Sequence, residues 1–230
     1  MGKEDFEFNN PLGTLGLDNG GEGEGNRMGL VMARAGLGKT AILVQIALDA
    51  IARGNKVLHV SIGETVDKTR AWYDDIITLV GGENKKLDVD ILQNRMIMTF
   101  KESSFSQAVL EERLDDLVKQ NVYRPECLII DGYDFVENDH SALANLKEFM
   151  QKHGLKMLWF SAVNHRDDDR VSPAGIPAPC HEVDDLFETV MLIHPDGDKI
   201  KLKVIKCKSC SVDTGSELSL DPQTMLVKEG

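Results

Sequence analysis

Apolar residues fall along this chain in two alternating rhythms. Strand-length, nearly continuous apolar runs occupy 28–33 (MGLVMA), 56–61 (KVLHVS), 95–100 (RMIMTF), 127–132 (CLIIDG) and 156–162 (KMLWFSA). Runs of this kind predict strands buried on both faces, as in a parallel sheet. Between them the spacing changes. Trp72, Ile76, Leu79 and Val80 fall on one face of a helix, and Phe105, Val109, Leu114, Leu117 and Val118 repeat the pattern. Ser104 and Gln107 have the spacing of a capping box for that second helix. Leu143, Leu146, Phe149 and Met150 mark a third helix, closed by Gly154. Alternation of strand and helix predicts right-handed crossovers covering both faces of the sheet.

The last quarter breaks this alternation. ETVMLIHPDGDKIKLKVIKC (188–207) sets two strand patterns around Pro-Asp-Gly, a hairpin signature, and ELSLDPQTMLV (217–227) reads as a short strand pair around Asp-Pro. The expected fold is therefore α/β, with a mainly parallel central sheet flanked by helices and a C-terminal antiparallel hairpin extension. Residues 1–27 include GLDNGGEGEGNR and follow neither rhythm, so they read as a flexible, acidic, Gly-rich lead-in to a single domain spanning 28–230.

Composition narrows the function classes. A chain of 230 residues with 42% hydrophobic content suits one domain with a full core. No apolar run approaches a membrane span, and MGKEDFEFNN is too acidic and polar for a secretory signal. Four cysteines do not suggest a disulfide scaffold, so a cytoplasmic protein with no membrane partner is expected. The formal charge of −12 argues against a broad basic face for nucleic acid. The irregular stretch 164–185 points the same way, because its three adjacent Asp repel phosphate; it reads as a protein-facing or gating loop. CKSC (207–210) has redox or zinc half-site spacing, but no second knuckle accompanies it, and its thiols read as incidental. His140, His153 and His194 fall near element ends and read as solvent or cap residues, while Trp72 and Trp159 read as core.

Chemistry concentrates between the first strand and its helix. Ala33-Arg34-Ala35-Gly36-Leu37-Gly38-Lys39-Thr40 matches the Walker A pattern, with Ala33 in the first Gly place. Gly36 and Gly38 can take backbone angles denied to other residues, which lets successive N–H groups turn toward a phosphate. The helix start adds further N–H groups and a positive dipole end. Ala35, Gly36, Leu37, Gly38, Lys39, Thr40 and Ala41 are thus the candidate nucleotide-binding residues. Lys39 would reach the β and γ phosphates, and Thr40 would place its hydroxyl on Mg²⁺. Asp131 ends an apolar strand as a Walker B aspartate does, and would hold Mg²⁺ through water. Asp134 could serve the following loop. Glu64, in SIGETVDK, stands after the next strand, where a carboxylate can orient an attacking water. Taken by itself it reads more readily as a helix-start carboxylate that favours the dipole.

Strand, Walker A, helix, strand, Gly-Glu-Thr, then a Walker B strand: this layout resembles the RecA-like ATPases. More narrowly it resembles the branch holding the DnaB replicative helicases, RadA/Sms and KaiC. The resemblance runs from about residue 13 to the end, and GTLGLDNGG is similar to the lead-in of KaiC-like domains. It implies ATP and Mg²⁺ as cofactors and Glu64 as the catalytic carboxylate. The DnaB branch carries a γ-phosphate-sensing Gln after its fourth core strand. Here SAVNHRDDDR keeps Ser161, Asn164 and Arg166, puts Ala162 in the Gln position, and leaves Asn164 or His165 as the substitute sensor. The family also carries a Lys-x-Arg pair reaching the neighbouring subunit's γ-phosphate; Lys206 and Lys208 match its spacing, with Lys in place of Arg.

The implied protein is a homo-oligomer, in the manner of a hexamer-like ring, with nucleotide at its subunit interfaces. Its output would be conformational signalling or remodelling of an unidentified protein partner. Two alternatives share the same core: a recombination or helicase accessory ATPase that binds single-stranded DNA, and a nucleotide-gated assembly module with little turnover. Nucleic acid is disfavoured by the charge.

Overall fold

The strand-length runs form β1 (Arg27–Ala33), β2 (Val57–Ile62), β3 (Arg95–Phe100), β4 (Cys127–Asp131) and β5 (Met157–Val163), followed by β6 (Thr189–Asp196), β7 (Lys199–Cys207) and β8 (Glu217–Leu220). In the computed structural model, which describes residues 11–16, 27–81, 89–136, 140–208 and 212–228, these eight make one sheet of order β3-β2-β4-β5-β1-β6-β7-β8. β3 through β6 in that order pair in parallel, and β7 and β8 add on antiparallel. The α/β architecture, the mainly parallel sheet and the C-terminal hairpin are as expected.

Helices cover both faces. α2 (Lys39–Ala52) and α3 (Val66–Gly81) lie on one, with the short α1 (Pro11–Thr14) and α4 (Val89–Gln93), while α5 (Gln107–Lys119) and α6 (His140–His153) lie on the other. Every residue of α2 from Ala41 to Ile51 is buried. Such a helix is apolar all round because neighbours enclose it, which is why it carries no one-sided rhythm. Among the described residues no helix is long and apolar enough to cross a membrane.

Several local expectations change. The cap of α5 is Ser106, whose Oγ accepts from the Val109 N–H at 3.2 Å, whereas Ser104 closes a 3₁₀ turn by donating to the Lys101 carbonyl. On α3 the expected residues Ile76, Trp72 and Val80 do pack on the core, joined by the buried Tyr73 and Ile77, whereas Leu79 is half exposed. His153 is buried against Phe149, with Asp115 3.5 Å from its Nε2, rather than solvated. Leu12 and Leu15 of the lead-in sink into the core beside α2, while 1–10 and 17–26 lie outside the described residues. The second strand pair reduces to β8 and a single bridge, Leu220 to Val227. The loop after β5 is packed: Val171 bridges Pro177, and Ile176 and Cys180 are buried. Cys207 is disulfide-bonded rather than a free thiol, and Cys210 lies outside the described residues.

Candidate functional site

β1 lies between β5 and β6, yet the chain leaving it must pass over β5 and β4 to reach β2. In an open parallel sheet such a crossing leaves a crevice at the strand C-termini, where ligands bind. The loop that enters α2 stands there. Gly36 and Gly38 take φ of +77° and +76°, both left-handed, and no side chain caps α2 at Gly38. Ala35 and Gly36 are exposed. Lys39 Nζ reaches back 3.4 Å to the Arg34 carbonyl. Burial lowers the Lys39 pKa, and the Asp131 charge works against that shift.

Three side chains from three elements meet beside it. Thr40 Oγ1, at the start of α2, donates to Asp131 Oδ2 at 2.6 Å. Ser161 Oγ, on β5, donates to Asp131 Oδ1 and accepts the Gly132 N–H at 3.2 Å. The sheet sets this meeting. β4 and β5 pair in register up to Ile130 and Phe160, so Asp131 and Ser161 are the next residues along and share the face that carries α2. Gly132 is required where it stands: its φ is +89°, and a Cβ would lie 2.6 Å from the Ile62 carbonyl oxygen.

The donor set fits Mg²⁺. A hydroxyl and a carboxylate are hard oxygen donors, already held at hydrogen-bonding distance, and Mg²⁺ usually takes one or two such ligands plus phosphates and waters. Among the described residues no cluster of three or more His, Cys, Asp or Glu forms an all-protein metal cage.

The other candidates occupy the same edge, with one exception. Glu64 follows β2, the strand beside β4, and lines an open groove of about 830 Å³ with Thr65, Thr99 and Glu102. Its Oε1 pairs with Lys68 Nζ at 2.5 Å, and both side chains are exposed. The cap of α3 is Thr65, whose Oγ1 accepts the Lys68 N–H, so Glu64 stands just outside the helix. Asn164 donates its backbone N–H to the Ala33 carbonyl at 3.1 Å, which holds the end of β5 against the start of the loop. Its Oδ1 is buried with no hydrogen-bond partner among the described residues, whereas His165 is exposed. Asp134 serves its loop by accepting the Val136 N–H at 2.8 Å.

Lys206 and Lys208 are the exception. Cys207 pairs with Thr189, and Thr189 with Gly29, so these lysines lie at the end of the sheet away from the chain's own loop. Lys206 Nζ donates to the Asp184 carbonyl and Lys208 Nζ to that of Asp185 at 3.4 Å. Burial, with Lys208 close by, lowers the Lys206 pKa.

Two features escaped the sequence reading. Ser161 was visible only as a kept family position, and its bond to Asp131 depends on strand register. His59, in the middle of β2, is fully buried with Nδ1 2.9 Å from the Tyr73 hydroxyl, and burial pushes its pKa down to about 4. Against known proteins, the chain matches no family model and none of the curated proteins.

Proposed function

We propose that the protein binds ATP with Mg²⁺ on the 33–41 loop and hydrolyses it slowly, acting as a homo-oligomeric, RecA-like ATPase of the KaiC/DnaB/RadA-like type. Its output is conformational signalling or remodelling of a protein partner. The observation that carries this reading is the meeting of Thr40, Asp131 and Ser161 beside a left-handed Gly turn at a helix start. A chance Gly-Lys-Thr would have no reason to face the aspartate ending a strand two places away in the sheet.

Each residue then has a task. The N–H groups from Ala35 to Ala41 and the Lys39 ammonium bind the β and γ phosphates. Thr40 would hold Mg²⁺ by its hydroxyl and Asp131 would hold it through water; the ion would supply charge to offset that of the phosphates. Glu64 turns from Lys68 to accept a proton from the attacking water; an exposed ion pair of this kind costs little to open. Asn164, its amide oxygen buried at the end of β5, reads the occupied phosphate site. Lys206 and Lys208 act on a neighbouring subunit's nucleotide.

A second reading, a nucleotide-gated assembly module with little turnover, draws on the Glu64–Lys68 pair and on Ala162 at the sensor position. Either way Lys39→Ala should abolish or greatly weaken ATP binding, because the N–H cradle alone lacks the charge over the phosphates. Titration with a fluorescent ATP analogue tests this, and an unchanged curve removes the assignment.

A further inference from the structure

Behind the phosphate loop lies the chain's C-terminal return. After β8 it forms a turn closed by Asp221, whose Oδ1 accepts the N–H groups of Gln223 at 2.9 Å and Thr224 at 3.1 Å. The Asp221 N–H donates to the Leu226 carbonyl, and the Met225 N–H returns to the Asp221 carbonyl, each at 2.8 Å. Lys228 Nζ pairs with Asp221 Oδ2 at 3.4 Å.

So closed a turn holds Met225 at φ +59°, a left-handed conformation that a side chain such as methionine rarely adopts. Two contacts go with it. A Cβ on Gly38 would stand 2.7 Å from both Cγ and Cε of Met225, so the thioether fills the space directly behind that glycine. The Met225 carbonyl accepts from Nε2 of Gln45 at 3.0 Å, and Gln45 is a fully buried residue of α2. Met225 thus touches the glycine that starts the helix, and is itself tied to that helix.

The loop needs such a support. Gly36 and Gly38 carry more backbone freedom than other residues, the N-cap Gly38 supplies no side-chain cap, and among the described residues a Cβ on Gly36 would meet nothing within 4 Å. Ordering a loop on binding costs conformational entropy, which a prior support reduces. Methionine suits the place because its unbranched, flexible side chain fills irregular gaps.

We propose that Met225 is a positioning residue for nucleotide binding. It holds Gly38 in its left-handed conformation, so that Lys39 and the first N–H groups of α2 face the phosphates before ligand arrives. This rests on the reading that the 33–41 loop binds ATP.

The experiment compares wild type with Met225→Ala, Met225→Leu and Lys39→Ala. It measures ATP–Mg²⁺ affinity by calorimetry, and amide hydrogen exchange over Leu37–Ala41 without nucleotide. Met225→Ala should weaken affinity about tenfold and speed exchange at those amides, with kcat at saturating ATP little changed. Met225→Leu, which refills the space, should restore both. Wild-type affinity or wild-type exchange in Met225→Ala overturns the positioning role, even if its thermal stability falls, since a plain core residue predicts that alone. Should Met225→Ala not fold, Gln45→Leu releases the Met225 carbonyl instead; it should weaken affinity severalfold, and wild-type affinity in it overturns the role equally. Unchanged binding by Lys39→Ala is a separate failure, that of the phosphate-loop reading itself.

Discussion

Replacing Ser161 by Ala removes one hydroxyl from the row that joins β5, β4 and α2. Two hydrogen bonds go with it: the one Ser161 Oγ gives to Asp131 Oδ1 and the one it accepts from the Gly132 N–H. A hydrogen bond to a charged group contributes about 1.5–3 kcal/mol, and a buried N–H left alone costs about 1–3 kcal/mol. The site is only partly buried, so water can replace part of both, and a fold destabilised by about 2 kcal/mol is expected. Urea unfolding without nucleotide measures that.

The functional effect should be larger than this loss suggests. With Ser161 gone, Thr40 remains as the bonded partner that the structure gives the Asp131 carboxylate, and its freedom to turn increases. Outer partners of metal-holding carboxylates typically change metal affinity or activity by about 10–100-fold. Phosphate release titrated with Mg²⁺ at fixed ATP should therefore need at least about tenfold more Mg²⁺ in Ser161→Ala. ATP binding measured without Mg²⁺ should stay close to wild type, because Lys39 and the loop are untouched. An unchanged Mg²⁺ requirement in the folded variant would refute the argument that Ser161 orients Asp131.

Three further outcomes follow from the same geometry. Glu64→Gln keeps shape but cannot accept a proton, so it should bind ATP normally and lose turnover by roughly 10²–10⁴-fold; wild-type phosphate release would leave Glu64 as no more than the partner of Lys68. Because burial holds the folded His59 pKa below its ordinary 6.5, its contribution to stability is full above pH 6.5 and is lost as pH falls through the lowered folded value. Ring NMR should find His59 still neutral at pH 5.5, and a midpoint near 6.5 would contradict its burial beside Tyr73. Finally, the Lys206→Ala, Lys208→Ala double variant should bind ATP as a monomer in light scattering, assemble poorly and hydrolyse slowly, and mixing it with Glu64→Gln should recover activity at interfaces that combine the intact halves. Wild-type assembly and turnover in the double variant would leave the two lysines as caps on the Asp184–Leu186 turn.

Composition and periodicity went far toward the architecture. The five apolar runs became strands within a residue or so of their expected bounds, and the hairpin expected around Pro-Asp-Gly formed, with Pro195 and Asp196 ending β6 and Gly197-Asp198 making the turn, Gly197 at φ +58°. These are local matters: run length, turn chemistry and the shortage of polar atoms to expose. The Gly-x-Gly-Lys-Thr loop is local in the same sense, since five neighbouring residues carry its backbone angles, its charge and its hydroxyl. Faces were harder. Leu79 and His153 were misjudged because helical spacing tells which residues share a side, and only packing tells which side meets a neighbour.

What the tertiary structure alone decided is the company each residue keeps. That Ser161 bonds Asp131 follows from β4 and β5 being adjacent and in register, which the strand order determines and the residues themselves do not state. That Met225 supports Gly38 across 187 positions of chain follows from a turn after the sheet's last strand. That Lys206 and Lys208 stand at the far end of the sheet follows from β7 running antiparallel to β6. A motif written in consecutive residues is set by bond geometry and can be read in one dimension. A site assembled from separate strands exists only once non-local pairing has brought them side by side, and that pairing is a property of the whole chain.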